Sequence, residues 1–105
     1  MRQNKKYPTV KRTYKRISKR NYDDPQYKKW RHDVRQRDHR CCRWPGCKQR
    51  RKLNVHHIRK WSDFPSLRYE ITNGITLCKH HHDSIKGREN DYILFFINIL
   101  IRDLR

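Results

Sequence analysis

Acidic residues are scarce in this chain of 105 residues, which contains 10 aspartates and glutamates but 28 lysines and arginines. The resulting formal net charge of +18 at pH 7 argues for a polyanionic partner, of which nucleic acid and an anionic membrane are the two candidates. Basic and aromatic residues are interspersed and no lipidation motif is visible, which favours nucleic acid. We therefore predict that the chain binds DNA and does not bind a membrane.

Apolar residues are also few, at 33% of the chain. No apolar run approaches the length of about 20 residues that a helix needs to cross a bilayer. The first 20 residues lack the apolar core of a signal peptide, so we expect a cytoplasmic protein. In that reducing compartment the four cysteines are better interpreted as metal ligands than as disulfides.

The short supply of apolar residues limits the size of the core. A domain of this length with so few apolar residues usually needs an added staple such as a metal ion. We expect one domain at residues 22–105, preceded at 1–21 by a flexible basic arm that contacts DNA. Lysine and arginine contact phosphates rather than specify bases, which predicts low sequence specificity. The residues that we expect on DNA are Lys11, Arg12, Lys15, Arg16, Lys19, Arg20, Arg50, Arg51, Arg59 and Lys60.

A helix is predicted over residues 22–38, because Asp24 can cap it and Pro25 suits its first turn. Its apolar residues at helical spacing, which we expect in the core, are Tyr27, Trp30 and Val34. Strands are predicted at 53–58 and 75–78, a turn at Asn73-Gly74, and further helices at 79–86 and 91–104. The last helix is strongly apolar and supplies either core or a dimer face, so both a monomer and a homodimer stay open.

Cysteine and histidine occur at the spacing of a zinc site, which takes four nitrogen or sulfur ligands as two close pairs. Cys42 and Cys47 form the first pair, and Cys78 and His81 form the second. Metal binding would contribute folding free energy that a small core lacks. We therefore predict a structural Zn²⁺ ion at these four residues.

Each pair has an alternative ligand beside it. Cys41 could replace Cys42, and His80 could replace His81; spacing alone does not decide between them. We prefer Cys42 because the turn residues Pro45-Gly46 then lie inside the first pair, where they let the chain reverse.

The zinc site does not use His56, His57, His82 or Asn73. Together with the zinc motif, these four residues resemble the HNH endonucleases of the ββα-metal class, in a phage-type form with a zinc knuckle. The resemblance runs from about residue 22 to residue 89. The residues that carry it are Arg37-Asp38, Cys42-x4-Cys47, Leu53-x-Val55-His56-His57-Ile58, Asn73-Gly74-Ile75-Thr76-Leu77-Cys78 and His82.

The resemblance implies a small α+β domain with the ββα-metal fold, stapled by the structural zinc and flanked by helices. It also implies a metal-dependent endonuclease that hydrolyses DNA phosphodiester bonds to 5′-phosphate and 3′-hydroxyl ends, with low specificity or nicking action. Such enzymes work in bacterial or phage-infected cells. The alternative is a zinc-stabilised DNA-binding module without catalysis, which the presence of His57 and Asn73 disfavours.

The resemblance also assigns roles to residues of the remaining set. His57 falls at the position of the general base, and Asn73 at the position that orients this base through hydrogen bonds. His56 and His82 match the two ligands of a catalytic divalent ion, and Glu89 resembles an acidic residue that can assist. The expected ion is Mg²⁺, although imidazole ligands also suit Mn²⁺, Ni²⁺ or Zn²⁺.

The adjacent histidines raise a geometric question. Neighbouring residues of a regular strand point to opposite faces. His56 and His57 could then serve one centre only where the strand ends or bends. We therefore predict an irregular strand end at this pair.

Overall fold

The computed structural model describes residues 21–102 of the chain. The helices and strands are, in chain order, α1 (Pro25–Arg37), β1 (Leu53–His57), β2 (Gly74–Cys78), α2 (Lys79–Ser84) and α3 (Ile93–Arg102). Short 3-10 turns lie at Pro65–Leu67, Ile71–Asn73 and Glu89–Tyr92. The DNA contacts predicted within the basic arm, from Lys11 to Arg20, lie outside the described residues.

Helix α1 begins three residues later than the predicted range, but with the predicted cap and first-turn residues. The carboxylate of Asp24 accepts a hydrogen bond of 2.9 Å from the amide of Gln26, and Pro25 occupies the first helical position. The three apolar residues predicted for the core are buried: Tyr27, Trp30 and Val34. They form one of two apolar clusters, against which Val55 of β1 packs.

The two strands form an antiparallel pair, in which Leu53 faces Cys78 and His57 faces Gly74. Side chains alternate along β2, so that Ile75 and Leu77 enter a second cluster while Gly74 lies against α1. The other main members of this second cluster come from the first cysteine pair and the two C-terminal helices: Cys42, Ile85, Phe96 and Ile99. Helix α1 therefore packs on one part of the sheet, and α2 and α3 pack on another.

The turn predicted at Asn73-Gly74 is confirmed for Asn73 and wrong for Gly74. Asn73 ends a 3-10 turn, and Gly74 has extended backbone angles (φ −129°, ψ 149°) as the first residue of β2. A Cβ atom at this position would lie 2.7 Å from side-chain atoms of both Trp30 and Val34. The glycine is therefore needed for the close approach of α1 to β2.

β1 ends at the histidine pair as predicted, but the irregular backbone predicted there is wrong. β1 continues through both residues, with His56 paired to Ile75 and His57 paired to Gly74. The strand ends directly after His57, one residue earlier than predicted. Regular pairing persists because β2 is fully buried and offers an unbroken ladder to its partner.

The ends of the later helices also differ from the prediction. Helix α2 stops at Ser84, before Gly87, which has a positive φ of 83°. Helix α3 begins at Ile93, because Glu89–Tyr92 forms a 3-10 turn instead of the first helical turn.

Asp38 ties the end of α1 to the free edge of β2. Its buried carboxylate accepts hydrogen bonds from the guanidinium of Arg37 at 2.9 and 3.0 Å, and it also pairs with Arg43. The amide of Thr76 donates to the same carboxylate at 2.9 Å, and Arg37 donates to the carbonyl of Gly74 at 2.6 Å. Charged side chains thus satisfy the amide of Thr76 and the carbonyl of Gly74, and the main-chain amide of Arg43 donates to the carbonyl of Thr76 at 2.9 Å.

The succession of β1, β2 and α2 gives the ββα order that the resemblance implies, within a small α+β domain. This confirms the predicted fold class. Within residues 21–102, no helix has the length and apolar character needed to cross a membrane.

Candidate metal centre and active site

The predicted zinc ligands converge. Cys42 precedes the sheet, Cys47 closes a turn, and Cys78 and His81 lie at the end of β2 and in α2. Their ligand atoms all lie within 4.8 Å of one another. The Nδ1 atom of His81 is 3.3 Å from the sulfur of Cys78 and 3.7 Å from that of Cys42. This Cys3His group can hold a metal ion.

The alternative ligands lie outside the group. Cys41 is half-buried but does not converge with the others, and His80 is exposed at the start of α2. Adjacent residues of a helix point in directions about 100° apart, so only one of the two histidines can face the sulfurs. This geometry agrees with the preference for Cys42 and His81.

The turn inside the first pair also forms as expected. Gly46 adopts a left-handed φ of 82°, and the amide of Cys47 donates to the carbonyl of Trp44 at 2.9 Å. This reversal brings the second thiol back towards Cys42.

The protonation of the thiols depends on whether a cation is bound. Without one, burial and, to a smaller extent, the neighbouring Cys47 thiol raise the pKa of the Cys42 thiol to about 12. Burial also raises the pKa of Cys78, but the amide of His81 and the two other thiols outweigh it, so this pKa lies below its usual value. A cation bound here would lower the pKa of Cys42, because cysteine ligates zinc as the thiolate, and zinc takes a tetrahedral set of sulfur and nitrogen ligands. The donor set therefore suits zinc.

Helix α3 supports this group through an aromatic stack that the sequence analysis did not anticipate. The ring of His81 lies parallel to that of Trp44, with 4.6 Å between centroids and an angle of 4°. Trp44 in turn contacts the rings of Tyr92, Phe95 and Phe96 at 5.1 to 6.3 Å. The final helix thus positions a ligand of the metal group.

A separate cleft of about 350 Å³ contains most of the predicted catalytic residues. It is lined by Val55, His56, His57, Lys60, Trp61, Ser62, His82 and Glu89. Side chains alternate along β1, so Val55 and His57 belong to one face of the strand and His56 to the other. The cleft therefore reaches both faces, which explains how adjacent histidines of a regular strand line one site.

His57 is held by contacts from α1 and from the loop after β1. Its ring stacks on Trp30, with 3.9 Å between centroids and an angle of 15°. Its Nε2 atom lies 3.0 Å from the main-chain carbonyl oxygen of Arg68. Because a carbonyl only accepts, Nε2 carries the hydrogen, and the lone pair of the neutral imidazole is on Nδ1.

Asn73 is buried and bonds to the main chain. Its Oδ1 accepts from the amide of Arg59 at 2.8 Å, and its Nδ2 donates to the carbonyls of Arg59 at 3.1 Å and Leu67 at 3.2 Å. Leu67 directly precedes Arg68, whose carbonyl contacts His57. Asn73 therefore fixes the loop that holds the histidine, and its own side-chain bonds do not go to that ring.

His56 and His82 meet at one end of the cleft. Their ring centroids are 5.7 Å apart, and His56 also contacts Phe96 at 5.4 Å. Burial lowers the pKa of His56 to about 4, with further lowering by His82 and His57 and a smaller opposing effect of Glu89. Burial lowers the pKa of His82 as well. Both rings are therefore neutral at pH 7.

One observation at this pair points to a ligand. The Nε2 atom of His56 is buried and has no hydrogen-bond partner, a state that costs free energy unless a ligand satisfies it. Across the described range 21–102, only the Cys3His group brings three or more such ligand atoms within 4.8 Å. An ion at His56 and His82 would therefore have few protein ligands, as magnesium ions in proteins commonly do.

Four of the predicted DNA-binding residues lie within the described range, and they differ in their distance from the cleft: Arg50, Arg51, Arg59 and Lys60. Lys60 lines the cleft, whereas the guanidinium of Arg59 lies over the ring of Phe64 at 5.6 Å. Arg50 and Arg51 are exposed in the segment before β1. Only Lys60 of these four is at the candidate active site.

Some residues of the site carried no signal in the sequence. Arg68 contributes a main-chain carbonyl, which any residue could supply, and Phe96 comes from a distant helix. Trp30 was predicted as core, which is correct, but its stacking on His57 also makes it part of the site.

Comparison with known families agrees with this geometry. Residues 40–88, just under half of the chain, match the family model described as HNH endonuclease. The matched segment contains the Cys3His group, the histidine pair, Asn73 and His82, and it ends one residue before Glu89. No curated protein and no solved structure gave a significant match. The matched segment, its ββα order and its metal group identify residues 40–88 as a domain of the HNH endonuclease family.

Proposed function

We propose that the protein is a metal-dependent endonuclease that hydrolyses phosphodiester bonds of DNA and leaves 5′-phosphate and 3′-hydroxyl ends. The observation that carries this proposal is the cleft in which His56, His57 and His82 meet beside Lys60. The net charge of +18 supports a polyanionic substrate.

His57 acts as the general base. Its Nδ1 atom takes a proton from the water that attacks the scissile phosphorus. The resulting imidazolium is stabilised by the carbonyl of Arg68, which accepts from Nε2, and by the face of Trp30. Asn73 maintains this arrangement by holding Leu67 and Arg59 in the loop.

His56 and His82 would hold the catalytic divalent ion, with Glu89 available to assist. An ion bound there supplies Lewis-acid stabilisation of the phosphate and of the leaving oxygen. The lowered pKa values of both histidines keep their nitrogens unprotonated at pH 7, as metal ligation requires. Mg²⁺ is the expected ion, and Mn²⁺, Ni²⁺ or Zn²⁺ also suit imidazole ligands.

Substrate binding relies on charge more than on base contacts. Lys60 meets the phosphate at the cleft, and the exposed Arg50 and Arg51 contact the flanking backbone. Binding of this kind has little sequence preference and weakens as salt rises.

Nicking of supercoiled plasmid with added Mg²⁺ or Mn²⁺ tests the proposal. We expect the wild-type chain to nick, and His57→Ala to be slower by a factor of about 100 or more, the usual contribution of a general base. His32→Ala is the matched control, because His32 is exposed on α1 and outside the cleft. It should retain activity within about twofold of the wild type, since surface substitutions rarely perturb a fold.

The variant must first be shown to fold, because His57 also stacks on Trp30. Thermal unfolding and zinc content provide that check. Undiminished cleavage by His57→Ala would remove the base assignment. Binding without cleavage by the wild type, with every metal offered, would instead indicate a zinc-stabilised DNA-binding module.

A further inference from the structure

A second cavity, of about 360 Å³, adjoins the cleft. Its lining residues come from α1, from the segment before it, from β1 and from α2: Tyr22, Tyr27, Arg31, Asn54, Val55 and His82. Val55 and His82 also line the catalytic cleft. The two cavities are therefore neighbours that share one wall, and a strand whose phosphate lies at the histidines can extend into the second cavity.

The wall opposite His82 carries an exposed aromatic ring. Tyr22 is 60% exposed, and its ring meets that of Tyr27 edge-on, with 5.4 Å between centroids and an angle of 77°. Tyr27 is buried and belongs to the core cluster under α1. A ring that is fixed by a core residue and open to solvent can stack a planar ligand at a small cost in side-chain entropy.

Polar groups complete the cavity. Arg31 lines the cavity, and its guanidinium lies 5.7 Å from the centroid of the Tyr27 ring. Asn54 is half-buried in β1 and offers both a donor and an acceptor. A stacking ring, a cation and an amide correspond to the three parts of a nucleotide, namely the base face, the phosphate and the base edge.

We propose that this cavity is a nucleotide subsite, which takes the nucleotide beside the scissile phosphate with its base stacked on Tyr22 and its far phosphate at Arg31. The proposal rests on the proposed function, because it concerns the substrate of the same site. A base inside an intact duplex has both faces covered by its neighbours, so the bound nucleotide has to leave the stack. The preferred substrate is therefore DNA that is single-stranded or locally opened. Base–aromatic stacking tolerates every base, in keeping with low sequence specificity.

Binding of short oligonucleotides without added divalent metal tests the subsite separately from catalysis. Fluorescence anisotropy would compare a single strand with the corresponding duplex. We expect Tyr22→Leu to weaken binding of the single strand by about tenfold, as loss of one stacked base does, with a change of less than about twofold for the duplex. Tyr22→Phe keeps the ring and should bind within about twofold of wild type. Phe64→Leu is a matched control, because Phe64 is an exposed ring beneath an arginine outside both cavities.

Two results would overturn the subsite. One is single-strand affinity unchanged in Tyr22→Leu, and the other is an equal loss in Tyr22→Phe, which would mean that the hydroxyl and not the ring face binds. Arg31→Gln provides a second, independent variant, expected to weaken single-strand binding and to flatten its salt dependence. Failure of the proposed catalysis would leave these binding results intact, whereas normal nicking by the wild type with unchanged single-strand affinity in Tyr22→Leu would reject the subsite alone.

Discussion

Asp38 shows how one buried charge organises this small domain. It is 1% exposed, and its carboxylate is shared by Arg37, Arg43 and the amide of Thr76. A buried carboxylate is tolerated only where cations and donors satisfy it, and removal of one partner leaves the others uncompensated. The pair Arg37-Asp38 was noted in the sequence as part of the family resemblance, but the sequence offered no indication of its structural role.

We predict that Asp38→Asn lowers the free energy of unfolding by about 3 kcal/mol, because two arginines lose their anion at a buried site. Urea denaturation measures the change. Asp33→Asn is the control, since Asp33 pairs with Lys29 on the exposed side of α1. A surface pair of this kind is worth at most about 1 kcal/mol. Equal effects of the two substitutions would mean that Asp38 is not the organising charge.

His56 predicts a dependence of stability on pH. Its pKa of about 4 in the folded chain lies below the value of 6.5 for the unfolded chain. As pH falls from 6.5 towards 4, the unfolded chain therefore binds the proton first, and the stabilising contribution that is complete above pH 6.5 is lost. At 1.36 kcal/mol per pKa unit, the loss amounts to about 3 kcal/mol.

The measurement compares wild type with His56→Gln in the absence of added divalent metal. Between pH 7 and pH 4.5 the wild type should lose about 2 to 3 kcal/mol more free energy of unfolding than the variant. Protonation of the zinc ligands affects both chains, so the difference isolates His56. Parallel pH profiles would show that this ring is not held neutral by burial.

Contacts made by side chains at the site could be predicted from the sequence, whereas contacts made by the main chain could not. Cysteine and histidine ligands can be recognised in a sequence, because their side chains bind the metal. The structure brings together Cys42 and His81, which the sequence analysis preferred over their neighbours. The role of Asn73 was predicted only in outline, since it acts on His57 through the main chain of Leu67 and Arg68. Contacts to main-chain atoms cannot be predicted from residue types, because every residue has the same main-chain groups.

At the scale of secondary-structure elements, the junction of α1 with β2 decides where His57 lies. Trp30 contacts both Gly74 and the ring of His57, so the distance from α1 to the sheet sets the position of that ring. The helix and both strands were predicted within one to three residues, because capping and apolar spacing are local signals. Gly74 was misassigned to a turn, because its real constraint comes from a helix more than 35 residues earlier.

We predict that Gly74→Ala destabilises the domain by about 1 to 3 kcal/mol, the usual cost of overpacking a core. The added methyl group would lie 2.7 Å from Trp30 and Val34, so that α1 has to move away. Thermal unfolding reports the loss of stability, and near-ultraviolet circular dichroism reports the altered packing of Trp30. Thr72→Ala, at an exposed position just before β2, should change neither signal. An unchanged unfolding midpoint in Gly74→Ala would show that α1 does not lie this close.

For the whole molecule, the two clusters depend on the metal group to different extents. The cluster under α1 contains no cysteine, whereas the second cluster includes Cys42 and Cys78 and packs against Trp44. The metal group thus connects the segment before β1, the end of β2, α2 and, through Trp44, α3. A core this divided cannot be stable on apolar burial alone, which agrees with the staple expected from the composition.

We predict that the purified protein contains one tightly bound zinc ion, and that a chelator abolishes cooperative unfolding. Structural zinc contributes about 10 to 16 kcal/mol in small peptides, which is comparable to the whole stability of a typical domain, about 5 to 15 kcal/mol. Elemental analysis and thermal scans before and after chelation measure both quantities. Cys47→Ser should lose the ion, whereas Cys41→Ser, which alters the neighbouring thiol outside the group, should keep it. His57→Ala should also keep its zinc, since His57 belongs to the cleft and not to the metal group. Full zinc content in Cys47→Ser, or loss of zinc from Cys41→Ser, would contradict the ligand set and with it the separation of the structural centre from the catalytic cleft.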